Sequence, residues 1–437
     1  MSAPVYRICS VLCQLLASVP VGTNAGLFAL LWALVSGQFL LSRGAVFPAL
    51  SQLKLSPAAV RRAVAALSYG RFVLADLLED WNRLIQREER FFANEYEGFR
   101  PVACDTTGFF RPQLTGCRSK HYTGEAKTAL PAVVLGLIAS VGTVCGVRVP
   151  VLRHLLRGHN TKDCEADLKR RLLKQAGKCL AEKEVLVADA GFALADVLRS
   201  EVKNFVVRVA HNFTARQNRL PEYKGRGRPP EFGEIIRPLA RTRKGKTIAA
   251  SPPTKTERWN FQGRKLQAFR FGGLTLKTDK PGSASFDCVV IFDPRYKQPL
   301  VLATNLPVSA FVVWQLYRDR WAVEQLPLAA KVMLGGGRAY VQGGESRFRL
   351  PELALLAGNV LSYVAAGSET ISSGFWDRAA RPTCGRLRRL LFRQDFSLLP
   401  CREGKMRKKN SVTAHLKTGV DAHRRKKAVP CDSFTGN

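Results

Sequence analysis

The chain has 437 residues, 46% hydrophobic and 23% charged, enough to build two to four domains with ample core. It carries 68 Lys plus Arg against 34 Asp plus Glu, a net charge of +34, so polyanions are its natural partners, nucleic acid before anionic membrane. The longest apolar run, Ala25 to Val35, is too short to span a bilayer, and 11 scattered cysteines with no C-x-x-C pair speak for a reducing cytosol and against a zinc ribbon or disulfide framework.

Residues 1–95 read as a helical domain suited to DNA binding. Met1 to Pro20 is apolar but has only Arg7 as a basic flank and no clear cleavage site, so a signal peptide is not expected. Leu27 to Leu41 is apolar nearly all round and predicts a buried helix. Ser56-Pro57 is an N-cap and N1 pair opening a helix from Ala58 to Leu67. Arg61 and Arg62 share one side of that helix, and Val60, Val64 and Leu67 the other. The pattern fits a helix-turn-helix with the arginines on DNA, and equally a packing helix with two solvated arginines. Trp81 to Tyr96 reads as a further charged helix.

The character changes at residues 96–214. Arg100 to Asp105 predicts a strand ending in a carboxylate, and Ala129 to Thr143 with Val144 to Leu152 predicts a hairpin. Cys164 to Ala181 predicts a helix with a basic face. Glu184 to Asp189 is a short buried strand ending in a second carboxylate, and Asn204 to Val209 is another strand. The order β-β-β-α-β-β suits an α/β fold with an RNase H-like mixed sheet.

Residues 215–305 read as a β-rich insertion with a basic loop. Thr256 to Phe261, Lys265 to Phe271, Leu274 to Thr278, Phe286 to Phe292 and Pro299 to Thr304 are strand-like and separated by turn signals. Before them, Lys224-Gly-Arg226-Gly-Arg228-Pro-Pro230 combines cations with a glycine and prolines that hold an extended path. Arg226 and Arg228 could then enter an A·T-rich minor groove, and the loop resembles the core of AT-hook segments. The plainer reading is a flexible basic connector.

Residues 306–370 resume the core and carry the stretch around which the chain is organised. At about 100° per residue, with Tyr317 as origin, Arg320 lies near −60°, Glu324 near −20° and Lys331 near −40°. Trp321, near +40° by the same count, flanks them. One acid among cations and aromatics suits a phosphodiester: the acid for a metal, the cations for phosphates, the rings for a base. Pro327 should kink the helix. Leu350 to Ala366 predicts an apolar helix that covers the sheet. Residues 371–437 read as a basic tail that binds polyanions non-specifically or merely solubilises the chain.

Tyr317, Arg320, Glu324 and Lys331 fit the Y-x2-R-x3-E-x6-K pattern, and over roughly residues 99 to 365 the chain resembles the YREK-signature DDE transposases of bacterial insertion sequences. The resemblance implies an RNase H-like nuclease fold with a β-rich insertion between the second and third catalytic acids. It implies that Asp105, Asp189 and Glu324 hold two Mg²⁺ ions, for which Mn²⁺ can substitute. Tyr317, Arg320 and Lys331 would grip terminal DNA phosphates. Double-stranded DNA, as transposon ends and target, would be the partner of a cytoplasmic, nucleoid-associated homodimer. Two other readings use the same residues: an RNase H-fold nuclease without strand transfer, and a decayed transposase that only binds DNA. The six His residues form no metal-ligand spacing and no G-x-x-x-x-G-K-[ST] loop occurs, so zinc and ATP are not implied.

Overall fold

A computed structural model describes residues 2–111, 119–158, 164–223, 225, 227–243, 245–338, 340–341, 343–372 and 374–399. It begins with six helices: α1 (Ala3–Leu15), α2 (Thr23–Val35), α3 (Gln38–Leu41), α4 (Val46–Ser51), α5 (Pro57–Tyr69) and α6 (Leu74–Glu88). The predicted helix from Leu27 to Leu41 is therefore two helices. Gly37 breaks it by taking a left-handed φ of 79°, which a residue with a Cβ rarely adopts. Ser56 caps α5 as expected, its hydroxyl accepting from the Ala59 amide at 3.3 Å. The charged helix predicted to reach Tyr96 stops at Glu88, and the chain turns into a short strand, β1 (Phe91–Ala93).

The strands that follow are β2 (Arg100–Phe110), β3 (Lys120–Thr123), β4 (Thr128–Val144) and β5 (Val147–Arg157). Next come α7 (Glu165–Cys179), β6 (Glu184–Ala188), α8 (Leu194–Leu198) and β7 (Phe205–Arg208). The basic segment supplies β8 (Ala215–Gln217), β9 (Ile235–Ile236), β10 (Arg241–Arg243) and β11 (Lys246–Ile248). Then follow β12 (Lys255–Phe261), β13 (Arg264–Leu276), β14 (Phe286–Phe292) and β15 (Leu300–Thr304). The last helices are α9 (Ala310–Asp319), α10 (Gln325–Leu328), α11 (Ser346–Ala366) and α12 (Cys384–Phe392).

The protein is thus a mixed α/β chain: helices, then a mixed sheet of 13 strands, then helices. Strand order is β1-β4-β2-β6-β7-β15-β14-β13-β8-β9, with β3 and β5 beside β4 and β12 beside β13, while β10 and β11 pair apart. The predicted hairpin forms between β4 and β5, turning at Cys145 and Gly146 with φ of 48° and 76°. Strands β2 and β6 pair in parallel, as do β6 and β7. The strands of the predicted insertion, β13 to β15, run antiparallel to one another within this sheet.

The chain divides into two compact units. One comprises Met1–Ala93, Thr106–Leu168 and Ala322–Asn437. Its axis is α11, buried nearly all round, which packs on β4 and β5 and on α1, α2 and α5. This is the covering helix that its apolar sequence predicts. Asn359 lies within it at 0% exposure. Its side-chain oxygen accepts from Trp81 Nε1 at 2.9 Å and from the Leu152 amide at 2.8 Å, and its amide donates to the Pro150 carbonyl at 2.6 Å. One side chain thereby ties α6 and β5 to α11.

The other unit comprises Asn94–Asp105 and Lys169–Trp321. Its core joins Val185, Val187, Val206, Val289 and Leu302 from the strands to Val313, Trp314, Leu316 and Tyr317 from α9. Alternate residues of β6 (Val185, Val187) and of β14 (Val289, Ile291) enter this core, which is the period-two pattern of a sheet covered by a helix. Helix α9 starts at a Ser309 cap and ends at Asp319. Asp319 is fully buried, accepting from Asn94 Nδ2 at 2.6 Å and from the Tyr96 hydroxyl at 2.9 Å. The basic tail predicted for 371–437 contains α12, capped by Thr383, which accepts from the Arg386 amide; residues 400–437 lie outside the described set.

Candidate functional site

Asp105 and Asp189 stand at matched heights in the second unit. Cys104 of β2 pairs in register with Ala188 of β6, and each aspartate is the next residue on its chain. Neighbouring parallel strands run about 4.8 Å apart, so two carboxylates leave the backbone side by side. The sequence predicts that both end their strands. Asp189 does follow β6, but Asp105 lies in mid-strand, because β2 continues to Phe110 as Thr106 to Phe110 keep extended, apolar-rich pairing. Asp189 is also tied locally: its Oδ1 accepts from the Gly191 amide at 2.9 Å. A Cβ on Gly191 would fall 2.9 Å from that oxygen and 3.1 Å from Lys169 Nζ, so a larger residue there would displace these side chains, and Lys169 borders the acid.

Arg320 brings a cation to Asp105. Its side chain is 8% exposed and its guanidinium lies 3.8 Å from the Asp105 carboxylate. It also hydrogen-bonds the Tyr317 hydroxyl, and its carbon centre stands 5.7 Å from the Tyr317 ring and 6.0 Å from the Trp321 ring. Tyr317 itself is core, at 5% exposure. Burial raises its hydroxyl pKa above the ordinary value, and Asp189 pushes the same way, while Arg320 and Arg208 pull it down. The phenol therefore orders Arg320 from inside the unit instead of reaching outward. Trp321 is the outward ring, at 62% exposure. Arg208 and Lys169 join the setting without having been picked out from the sequence. Arg208 ends a buried strand, and only that placement could have marked it.

The helix carrying the signature is not regular. After α9 come a 3-10 stretch (Arg320–Glu324), the four residues of α10 and a π-helical turn (Ala329–Met333). Pro327 has no amide hydrogen, and beyond it a bond spans five residues, Leu334 donating to the Ala329 carbonyl at 2.9 Å. The single stripe expected at 100° per residue is therefore corrected. A tighter turn before Pro327 and a wider one after it change the angular positions of Glu324 and Lys331. Glu324 closes the 3-10 stretch that Arg320 opens. In the first unit, Lys331 Nζ stands 5.2 Å from the Phe109 ring.

Asp105 and Asp189 suit a hard divalent cation, because Mg²⁺ is commonly held by one or two carboxylates with waters and substrate phosphates. Among the described residues no three His, Cys, Asp or Glu are grouped to hold a metal ion, and Glu324 belongs to the first unit while Asp105 and Asp189 belong to the second. The other sequence candidates lie apart from this pair on the chain. Arg61 is exposed and Arg62 partly buried on α5. Arg228 is exposed and pairs with Glu231. Gly227 takes φ of 79° and its carbonyl accepts from the Tyr223 hydroxyl at 2.8 Å, giving a local turn where an extended path was expected. Arg226 lies outside the described residues. Trp259 packs against Phe311 and Trp314 in the core. Among the described residues no helix is long and apolar enough to cross a membrane.

No family model matches the chain, and no curated protein matches it in sequence.

Proposed function

We propose that the chain is a DNA transposase of the DDE type, cleaving phosphodiesters at transposon ends and joining them to target DNA. The observation that carries this reading is the register of β2 and β6, which sets Asp105 beside Asp189 with Arg320 3.8 Å from the former. Two carboxylates at matched positions of neighbouring parallel strands, with a cation from the end of α9, form a site for a metal-held phosphate. The strand order β5-β4-β2-β6-β7, with β2, β6 and β7 parallel, supports an RNase H-like core. The net charge of +34 supports a nucleic-acid substrate.

In this reading Asp105 and Asp189 hold Mg²⁺, which when bound would activate the attacking oxygen and stabilise the leaving one. Arg320, fixed by Tyr317, positions a phosphate beside Asp105. Trp321 offers a ring to an exposed base. The role of Glu324 as third acid rests on the sequence pattern alone.

A product assay on a labelled duplex tests the reading. With Mg²⁺ or Mn²⁺, cleaved 3′ ends should appear joined to target DNA. Asp105→Asn, Asp189→Asn and Glu324→Gln should each abolish cleavage and leave DNA binding largely intact. Cleavage without joining would favour a nuclease, and binding without cleavage a chain that has lost its chemistry.

A further inference from the structure

The loop between α11 and α12 holds two aromatic rings in solvent. Phe375 is 97% exposed and Trp376 66% exposed. Leaving two large rings in water forgoes the burial that ordinarily stabilises them. The rings meet edge to face with centroids 5.1 Å apart. The loop beneath them is built to hold this pose. The Ser372 hydroxyl donates to the Gly374 carbonyl at 2.9 Å and accepts from its amide at 3.2 Å. The Asp377 amide returns to the Gly374 carbonyl at 3.1 Å. A Cβ on Gly374 would run into the Trp376 ring, so only glycine lets the indole rest on the backbone. Asp377 then pairs with Arg386 at 2.6 Å, and Arg386 also donates to the Arg381 carbonyl at 3.1 Å, pinning the tip to the first turn of α12.

The surroundings name the partner. Arg378 and Arg381, a few residues along the chain from the tip, are exposed, and the adjoining acid, Asp377, is engaged by Arg386. Exposed rings interleaved with arginines match a strand that is polyanionic along its backbone and presents flat faces. A second copy of this chain, at net +34, brings no excess of acid to meet those arginines. A relaxed duplex hides its base faces in the stack, whereas a single strand or an opened step offers them.

We propose that the Phe375–Trp376 tip is a stacking site for unpaired bases, with Arg378 and Arg381 on the flanking phosphates. It works by binding alone and stands whether or not the phosphodiester chemistry at Asp105 and Asp189 exists. The test uses the full chain in EDTA, with fluorescein-labelled dT15 and a blunt duplex titrated by anisotropy at several salt concentrations. Phe375→Ser with Trp376→Ser should weaken dT15 binding about tenfold or more, leave the duplex nearly unchanged and leave the salt slope intact. Trp376→Tyr should retain most of the affinity. Arg378→Gln with Arg381→Gln should instead flatten the salt slope for dT15 by roughly 1.4. Both rings lie in solvent, so thermal unfolding should not move. Equal affinity of the serine variant for dT15, or equal loss on both probes, overturns the proposal. So does loss confined to binding of phosphatidylserine vesicles, or a change of sedimentation coefficient with dT15 binding unaltered.

Discussion

Replacing Arg320 by methionine keeps a long unbranched side chain and removes the charge beside Asp105. The ion pair spans 3.8 Å with side chains 8% and 21% exposed. At that distance an effective dielectric of about 20 gives roughly 4 kcal/mol of attraction. Asp105 is partly solvated, so about half of that is lost to screening. The hydrogen bond to the Tyr317 hydroxyl adds about 1 kcal/mol. Arg320→Met should therefore lower unfolding stability by about 2–4 kcal/mol, leaving Asp105 and Asp189 side by side without the guanidinium. Asp105→Asn should cost clearly less in the Arg320→Met background than in the native one, with a coupling of about 1–2 kcal/mol in a double-mutant cycle. Urea unfolding followed by tryptophan fluorescence and by circular dichroism measures all four proteins. Additivity of the two substitutions within about 0.5 kcal/mol would refute the pairing and with it the charge balance argued for the site.

Asn359→Leu removes the partner of Trp81 Nε1, the Leu152 amide and the Pro150 carbonyl at once. Stranding those groups should cost about 3–5 kcal/mol by urea unfolding, and a loss below about 1 kcal/mol would contradict the network. A Cβ on Gly26 would fall 2.7 Å from Ala66 Cβ where α2 crosses α5, so Gly26→Ala should destabilise by about 1–3 kcal/mol in the same assay, while Ala65→Gly should not rescue it. Burial, with Arg153 beside it, lowers the His154 pKa below the usual 6.5. The unfolded chain then takes up that proton first, so the stability His154 contributes is full above about pH 6.5 and falls as pH drops below it; His154→Gln should flatten this slope between about pH 5 and 7. Mn²⁺ at about a hundredfold above its Kd should stabilise the native protein by roughly 2.7 kcal/mol in a thermal-shift assay, and Asp105→Asn or Asp189→Asn should abolish the rise.

Local patterning made much of the architecture legible. Short runs rich in Val, Leu and Ile marked β4, β5, β6 and β7, a serine-proline pair marked the start of α5, and an all-apolar run marked α11, because burial and capping act over a few neighbouring residues. The same reasoning singled out both aspartates, since a carboxylate within or after an apolar run is visible as a break in composition. Where strands and helices stop was less legible. β2 runs on past Asp105, and α6 yields to β1, because pairing with a distant strand decides whether extended backbone continues. The signature helix showed the limit most clearly. Its residues share a stripe only if the turn stays at about 3.6 residues, and Pro327 with its 3-10 and π neighbours alters that turn. Sequence spacing could not say that Tyr317 faces inward to hold Arg320, or that Arg208 and Lys169 attend the same site. Those relations depend on which strands become neighbours and at what register, and register is a property of the whole sheet: one residue of slip would carry every side chain of a strand to its other face.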